Sequence, residues 1–336
     1  MLPLLRDKTG SKNHVSDSEL TSRNKYAAAA RTLLSLIALA LVGLGSAPPQ
    51  PAASHSLDRS GSHAPTVSAE VDRVIHTSKF KPPSPDPAGI AYDASRDRLI
   101  VSDSEVDEMP LYRGVNLFVL TRRGTVVARG STLPYSSEPT GVGVDPGDRT
   151  LYVSDDYVRR VFIFRAGADR RYGTGDDIVS SFVTTVFGCR DPEDLAFDHR
   201  SGHLFIADGD AAKILDVDPV NGIFGDGNDR VSHFSVRRYG VKNVEGLGLD
   251  AERHTLLVVA DREREILEVT TAGALVRIIS LAAITHPRWI SDVTTAPASD
   301  PDHDRPARTY WITDRQRDNN VDPGEDDGKI YEVSLP

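Results

Sequence analysis

A short pattern recurs along this sequence, and it constrains the fold more than any other feature. Each copy has a segment resembling D-P-x-G-[IV]-x-x-D, followed closely by an apolar segment that ends in Asp. The first four copies begin 52 or 53 residues apart, and self-similarity at such a period indicates a repeat architecture. The five copies begin with DPAGIAYD (86–93), EPTGVGVD (138–145), DPEDLAFD (191–198), NVEGLGLD (243–250) and PRWISDVT (287–294).

Within each copy, short runs of apolar and β-branched residues are bounded by Gly, Pro, Asp and Ser, which is typical of strands joined by turns. The second copy shows four such runs, TGVGVD, RTLYVS, RVFIFR and DIVSSFVT. Four antiparallel strands repeated around an axis form a β-propeller blade. The fifth copy has only three strands, and residues 68–78 offer the missing one. The sequence therefore predicts an all-β propeller of five four-stranded blades, closed by 68–78, with six blades as the alternative.

The repeated motifs, P-x-G-[IV]-x-x-D followed by L-[YFI]-[VI]-[SA]-D, resemble those of NHL-repeat and SMP-30 (gluconolactonase-like) propellers. The runs GTGDDIVSSF, LIVSDSEVDEMP and ITDRQRDNNVDPGEDDGKIYEV are similar to propeller domains of exported bacterial proteins. The resemblance covers about residues 66–336 and implies the fold, with no single activity attached. For lactonases of this kind it also implies a metal in the central channel, held by acidic and Asn side chains where inner strands begin.

The remaining segments differ in composition from the repeats. We interpret 1–31 as a basic N-terminal extension, 32–53 as a signal peptide or an uncleaved anchor, 54–65 as a flexible linker and 66–336 as the propeller. The apolar run is short for a membrane span. The sequence thus predicts export to the cell envelope or outside, with membrane contact only through an anchor. The single cysteine, Cys189, excludes an intramolecular disulfide.

Acidic and amide side chains gather where inner strands begin and second strands end, at one face that we call the mouth. An Asp ends the second strand in every blade and is best interpreted as a turn residue. The residues before the inner strands vary more, so Glu138, Glu193, Asn243 and Glu245 are the predicted ligands of a channel metal or substrate. Arg288 and Trp289 precede the fifth inner strand and could also face the channel.

Two acidic loops, 102–114 and 313–328, belong to blades that the ring closure makes neighbours. They predict either a second Ca²⁺ site or solvated loops, because carboxylate and amide oxygens are the ligands that Ca²⁺ prefers. The candidate ligands there are Asp103, Glu105, Asp314, Asp318, Asn320 and Asp322.

The stretch YGTGDDIVSSF (172–182) recurs as FGDGNDRVSHF (224–234), each between a third and a fourth strand. Its glycines allow positive φ, so the loop could fold around its own amide groups or around Ca²⁺. We interpret it first as a structural turn and second as a calcium site. The oxygen-bearing positions pair as Asp169 with Asn221, Asp176 with Asn228, and Asp177 with Asp229.

Residues 66–336 carry a net charge of −13, which argues against nucleic-acid binding. The sequence contains no G-x-S-x-G or HExxH motif. We therefore expect a monomeric, exported, calcium-stabilised propeller that binds a small molecule, a glycan or a protein at its acidic mouth. The alternatives are a Ca²⁺-dependent hydrolase (lactonase, esterase or phytase-like) with the metal in the channel, and a structural propeller of the cell envelope. A phosphate substrate would need mouth cations, for which Arg190, Arg262, Arg288 and Arg315 are candidates.

Overall fold

A computed structural model describes residues 64–106, 114–300, 307–315 and 327–336 of the chain. The predicted N-terminal extension, the apolar segment 32–53 and most of the linker lie outside these residues. Regular structure in the described part is β-strand apart from four 3-10 helices, Thr77–Lys79, Thr184–Phe187, Arg237–Tyr239 and Asp261–Glu263. No helix in this part is both long and apolar enough to cross a membrane.

The chain begins with β1 (Thr66–Ser68) and β2 (Glu70–His76), and the other strands follow in blade order. Blade one contains β3 (Pro87–Asp93), β4 (Arg98–Asp103), β5 (Leu117–Leu120) and β6 (Val126–Gly130). Blade two contains β7 (Gly141–Val144), β8 (Thr150–Asp155), β9 (Arg160–Arg165) and β10 (Ile178–Val183). Blade three contains β11 (Pro192–Asp198), β12 (His203–Asp208), β13 (Lys213–Asp218) and β14 (Arg230–Ser235). Blade four contains β15 (Gly246–Asp250), β16 (Thr255–Ala260), β17 (Glu265–Thr270) and β18 (Leu275–Ser280). Blade five contains β19 (Ile290–Pro297), β20 (Arg308–Asp314) and β21 (Lys329–Ser334).

Strand β2 completes blade five by pairing antiparallel with β21, with Val71 opposite Val333 and Ile75 opposite Ile330. The inner strands β3, β7, β11, β15 and β19 contact one another in a closed ring. The prediction of a five-bladed propeller closed by the segment 68–78 is therefore confirmed, and the described strands form five sheets, not six. Strand β1 was not predicted. It adds a parallel fifth strand to β18, so the start of the propeller spans the outer edges of blades four and five.

A hydrophobic cluster fills each junction between neighbouring blades. Successive strand residues point to opposite faces of a sheet, so each blade supplies two clusters. Leu256 and Val258 of β16 pack towards blade three, whereas Leu257 and Val259 pack towards blade five. This alternation explains why the second strands are apolar at nearly every position, and it leaves the strand ends at the channel for polar residues.

Candidate functional site

The strand register aligns the five blades at the mouth. Pro87 lies opposite Asp103, Pro192 opposite Asp208, and Ile290 opposite Asp314. Trp289 therefore occupies the position before the inner strand, and the alignment that began the fifth repeat at Pro287 is wrong by two residues. A β-bulge follows this position in β3, β11 and β19, and the sequence pattern did not reveal it. The equivalent positions in the five blades are Asp86, Glu138, Asp191, Asn243 and Trp289.

Three carboxylates from blades two and three converge beside the axis. Asp156, Asp191 and Glu193 each offer an oxygen, and these oxygens lie within 4.8 Å of one another. Two oxygens bound to one Ca²⁺ at 2.3–2.6 Å can be at most about 5 Å apart, so the three fit a single ion. Burial and the charges of Glu138 and Asp191 raise the pKa of Asp156 to about 7. Burial and Asp156 likewise raise the pKa of Glu193.

Only one member of the predicted ligand set belongs to this carboxylate triad. Glu193 does, but Asn243 donates its amide hydrogen to Glu245, and Glu245 lies 3.6 Å from the Arg315 guanidinium. Glu138 influences the triad through its charge on Asp156. Asp156 was passed over because Asp155 beside it has the recurring turn role. The signal that could have identified it is the doubled Asp, which follows a second strand in blade two only.

Arg315 follows β20 and brings a cation into the mouth. Its guanidinium lies 4.8 Å from the centre of the Trp289 ring, and its main-chain N–H donates to the Trp289 carbonyl. Burial lowers the pKa of Arg315, but the charges of Glu245, Glu193 and Asp86 outweigh burial and raise it. Trp289 thus supports a mouth cation, as expected for a channel residue. Arg288 is more exposed and lies 3.6 Å from Asp327.

At the seam between blades one and five, Asp86 is fully buried, and neither of its carboxylate oxygens accepts a hydrogen bond among the described residues. Burial and the charges of Asp103 and Glu105 raise the pKa of Asp86. Asp103 accepts hydrogen bonds from the Ser84 hydroxyl and from the main-chain N–H groups of Asp86 and Glu105. Asp103 therefore acts as a turn residue, because its carboxylate binds main-chain amide groups.

Asp314 has the same role in blade five, where it accepts from the N–H groups of Arg288 and Trp289. The predicted ligands Asp318, Asn320 and Asp322 lie outside the described residues. The second calcium site, between the two acidic loops, thus stays a prediction.

In the repeated loop, the last Asp accepts hydrogen bonds from the loop's own amide groups. Asp177 accepts from the N–H groups of Gly173 and Thr174, and Asp229 accepts from that of Gly225. In both copies the other carboxylate oxygen is buried and accepts nothing from the described residues. Gly173, Gly225 and Gly227 have positive φ, whereas Gly175 does not.

The two copies also keep one side-chain hydrogen bond with donor and acceptor exchanged. Thr174 donates to Asp176 in the first copy, and Asn228 donates to Asp226 in the second. Asp169 and Asn221 join the same network, each by donating to that acceptor, Asp169 through its main-chain N–H and Asn221 through its side-chain amide. The two loops keep the same hydrogen bond although its donor and acceptor positions are exchanged. This favours the interpretation of the loop as a structural turn.

Each repeated loop also packs against the preceding blade. Tyr172 is buried among residues of blades one and two, and the carbonyl of Gly173 accepts from Ser131 beyond β6. In the second copy Phe224 packs against Tyr152 and Phe182 of blade two. The aromatic residue before the first glycine therefore gives the repeat a packing function.

Below the mouth, two aspartates meet across the axis at a level that we call the waist. The carboxyls of Asp194 in β11 and Asp292 in β19 are hydrogen-bonded to each other. Asp194 also accepts from the N–H groups of Leu195 and Leu247, and Asp292 from those of Ile90 and Val293. The other three blades have glycine at this position, Gly89, Gly141 and Gly246.

The glycines make room for the pair: a Cβ on Gly141 would lie 2.0 Å from Oδ1 of Asp194. Burial raises the pKa of Asp292 to about 6, and burial with the charge of Asp292 raises the pKa of Asp194 well above its usual value. At least one of the two carboxyls is therefore expected to be protonated at about pH 5. Sequence analysis missed this pair, because the two-residue misalignment of the fifth repeat hid Asp292 and left only Asp194 visible in place of glycine.

No protein-family model and no curated protein matches the chain. Among solved structures, glutaminyl cyclase of Myxococcus xanthus aligns with 81% of this chain and 98% of its own, at 14% identity and a TM-score of 0.51. A PQQ-bound aldose sugar dehydrogenase from Streptomyces coelicolor aligns with 80% and 98%, at 14% identity and a TM-score of 0.47. Such identities are evidence of fold alone, so membership of the NHL or SMP-30 families stays a prediction. The chain is a five-bladed β-propeller whose structural neighbours are β-propeller proteins.

Proposed function

We propose that this protein is an exported β-propeller that binds Ca²⁺ at its mouth and uses the occupied mouth to bind a ligand or partner. The observation that carries the proposal is the convergence of Asp156, Asp191 and Glu193 within 4.8 Å. Export rests on the sequence of residues 32–53.

The electrostatics of the mouth support a bound cation. Three carboxylates this close repel one another, and their pKa values are raised by burial before any other cause. Oδ1 of Asp156 is buried without a hydrogen-bond partner among the described residues. A set made only of oxygen ligands suits Ca²⁺ better than Zn²⁺ or copper, which prefer nitrogen and sulfur. A divalent ion would offset the repulsion and satisfy the free oxygen.

Arg315 suggests the ligand class. A guanidinium and a calcium ion beside the same axis would both attract an oxyanion, such as the carboxylate or phosphate of a small molecule, a glycan or a protein. The exposed ring of Tyr157 follows Asp156 directly and offers an aromatic surface to the rest of such a ligand.

Calorimetric titration of the full-length chain with CaCl₂ tests the cation site. We expect Asp191→Asn and Glu193→Gln to abolish a binding event that Asp177→Asn and Asp229→Asn preserve. The opposite pattern would assign calcium to the repeated loops and refute the mouth site. Ligand binding is tested by a thermal-shift screen of carboxylates, phosphates and glycans with and without Ca²⁺. Stabilising compounds should require the ion and lose their effect in Arg315→Gln.

One observation favours the hydrolase alternative. A carboxyl with a pKa of about 7, as Asp156 has here, is suited to exchange protons with water near neutral pH. In a hydrolase, Asp191 and Glu193 would hold Ca²⁺ without Asp156, because coordination to the ion would lower the pKa of Asp156. In that case Ca²⁺ would supply a Lewis acid for an ester or phosphoester oxygen. Calcium-dependent hydrolysis of p-nitrophenyl acetate or p-nitrophenyl phosphate, lost in Asp156→Asn while the fold is retained, would establish it. If the protein binds calcium but hydrolyses neither ester, the result supports a binding module and contradicts the hydrolase alternative.

A further inference from the structure

Below the waist, the channel widens into a cavity of about 450 Å³ that opens on the face opposite the mouth. We call it the lower shaft. Its walls come from all five inner strands, at residues 90–92, 142–144, 195–197, 247–249 and 294–295. The volume lies within the range of small-molecule pockets, about 300–1,000 Å³.

The sequence builds the lower shaft in every blade. Each wall segment has a small residue at the equivalent position of its blade: Ala91, Gly143, Ala196, Gly248 and Thr294. The flanking residues are mostly apolar, such as Leu195, Leu247 and Leu249. The stacking of Phe197 on Tyr152, with ring centres 5.1 Å apart, holds another part of the wall in place.

Among the described residues at the rim of the shaft, Arg200 is a cation whose guanidinium contacts no carboxylate. The rim carboxylate Asp198 is hydrogen-bonded to His254 at 2.8 Å. The rim residue His199 lies 2.8 Å from Asp145. Arg200 makes no ion pair with the residues that the structure describes, and its guanidinium donates only to the carbonyl of Ala251 at 3.3 Å.

We propose that the lower shaft binds an aliphatic carboxylate, with the hydrocarbon chain inside the shaft and the carboxylate at Arg200. Ala94 at the rim lies four positions after Ile90, which is at the upper end of the shaft. At a strand rise of ~3.3 Å per residue this corresponds to a depth of about 13 Å, which suits an alkyl chain of medium length. The waist closes the upper end of the shaft, so this site is separate from the mouth and does not depend on calcium.

Calorimetric titration of the full-length chain with decanoate, in EGTA so that the mouth contributes no metal-dependent binding, tests the proposal. We expect one decanoate per chain. Arg200→Gln should weaken decanoate about fivefold, the size of an exposed ion pair, and leave methyl decanoate unchanged.

Ala251→Trp changes an exposed rim residue and should abolish binding of both compounds by covering the entrance. Ala94→Trp does the same from blade one, in case the first variant fails to fold. The matched control, Val276→Trp on the outer strand β18, should bind both compounds normally. The proposal is overturned if the wild-type protein binds neither compound, if a folded rim variant binds them equally well, or if Arg200→Gln weakens both compounds alike.

Discussion

Replacing Asp292 by Asn should change how the stability of the propeller depends on pH. All four carboxyl oxygens of the waist pair accept main-chain hydrogen bonds, and burial raises the pKa of both groups. Two of these donors, Ile90 and Leu247, belong to neighbouring blades, so the pair ties four inner strands together around the axis.

The magnitude follows from the raised pKa. Burial raises the pKa of Asp292 from 3.8 to about 6 in the folded protein. The folded state therefore holds a proton that the unfolded state has lost, and stability that is complete below about pH 4 is lost as the pH rises through 6. A shift of about two units corresponds to a loss of about 3 kcal/mol in the free energy of unfolding.

An asparagine removes this titration and introduces a different penalty. Its NH₂ group must face either the N–H of Ile90 or that of Val293, which leaves a donor without an acceptor at a cost of about 1–3 kcal/mol. The variant should thus be less stable than the wild type near pH 4, and the difference should shrink by about 3 kcal/mol towards pH 7.

Urea unfolding of the full-length chain at several pH values between about 4 and 7, in EGTA, measures both effects. Glu70→Gln makes the same chemical change at an exposed position of β2 and should leave the profile unchanged. If the profile of Asp292→Asn runs parallel to that of the wild type, Asp292 does not titrate with a raised pKa in the folded protein and the reasoning fails.

Three further outcomes are expected. Gly141→Ala would place a Cβ 2.0 Å from Oδ1 of Asp194 and should cost about 1–3 kcal/mol in urea unfolding, whereas Gly175→Ala, with nothing within 4 Å, should be close to neutral. Tyr172→Ala should cost about 3–5 kcal/mol in the same assay, since it empties a buried position between blades one and two; a small loss would refute the interblade role of the loop. Burial raises the pKa of Cys189 to about 12, so iodoacetamide should label it near pH 8 only after unfolding, and rapid labelling of the folded protein would contradict this.

The fold could be predicted because each repeat shows the same sequence signals of strands and turns. Strand periodicity, turn residues and a near-constant spacing all recur, and the three strands of the last unit left one position for the segment 68–78. The short strand β1 escaped prediction because TVS, at the edge of a sheet, carries too few residues to show a pattern.

The candidate site was predicted only in outline. The acidic mouth follows from strand ends that share one face, and Glu193, one of the predicted ligands, lies among its converging carboxylates. The partners of Glu193 could not be identified, because the distance between Asp156 in blade two and Glu193 in blade three depends on how the two blades pack, and because Glu193 lies at a β-bulge in β11. The spacing of residues along the sequence shows neither feature.

The unusual charged residues of this protein lie at positions where one or two blades differ in sequence from the others. Positions that are alike in all blades are explained by packing and turns: the Asp at the end of the second strand binds local amide groups, and the small residue in the middle of the inner strand leaves the lower shaft open. Positions that differ between blades carry charge with little local compensation, as at Asp156, Asp194 and Asp292. A fivefold scaffold tolerates such residues on its axis because each is needed only once, and the remaining blades can supply the glycines and main-chain donors that accommodate it. In a propeller, therefore, comparing the blades of one chain with each other can identify candidate functional residues even where no relative of known function is available.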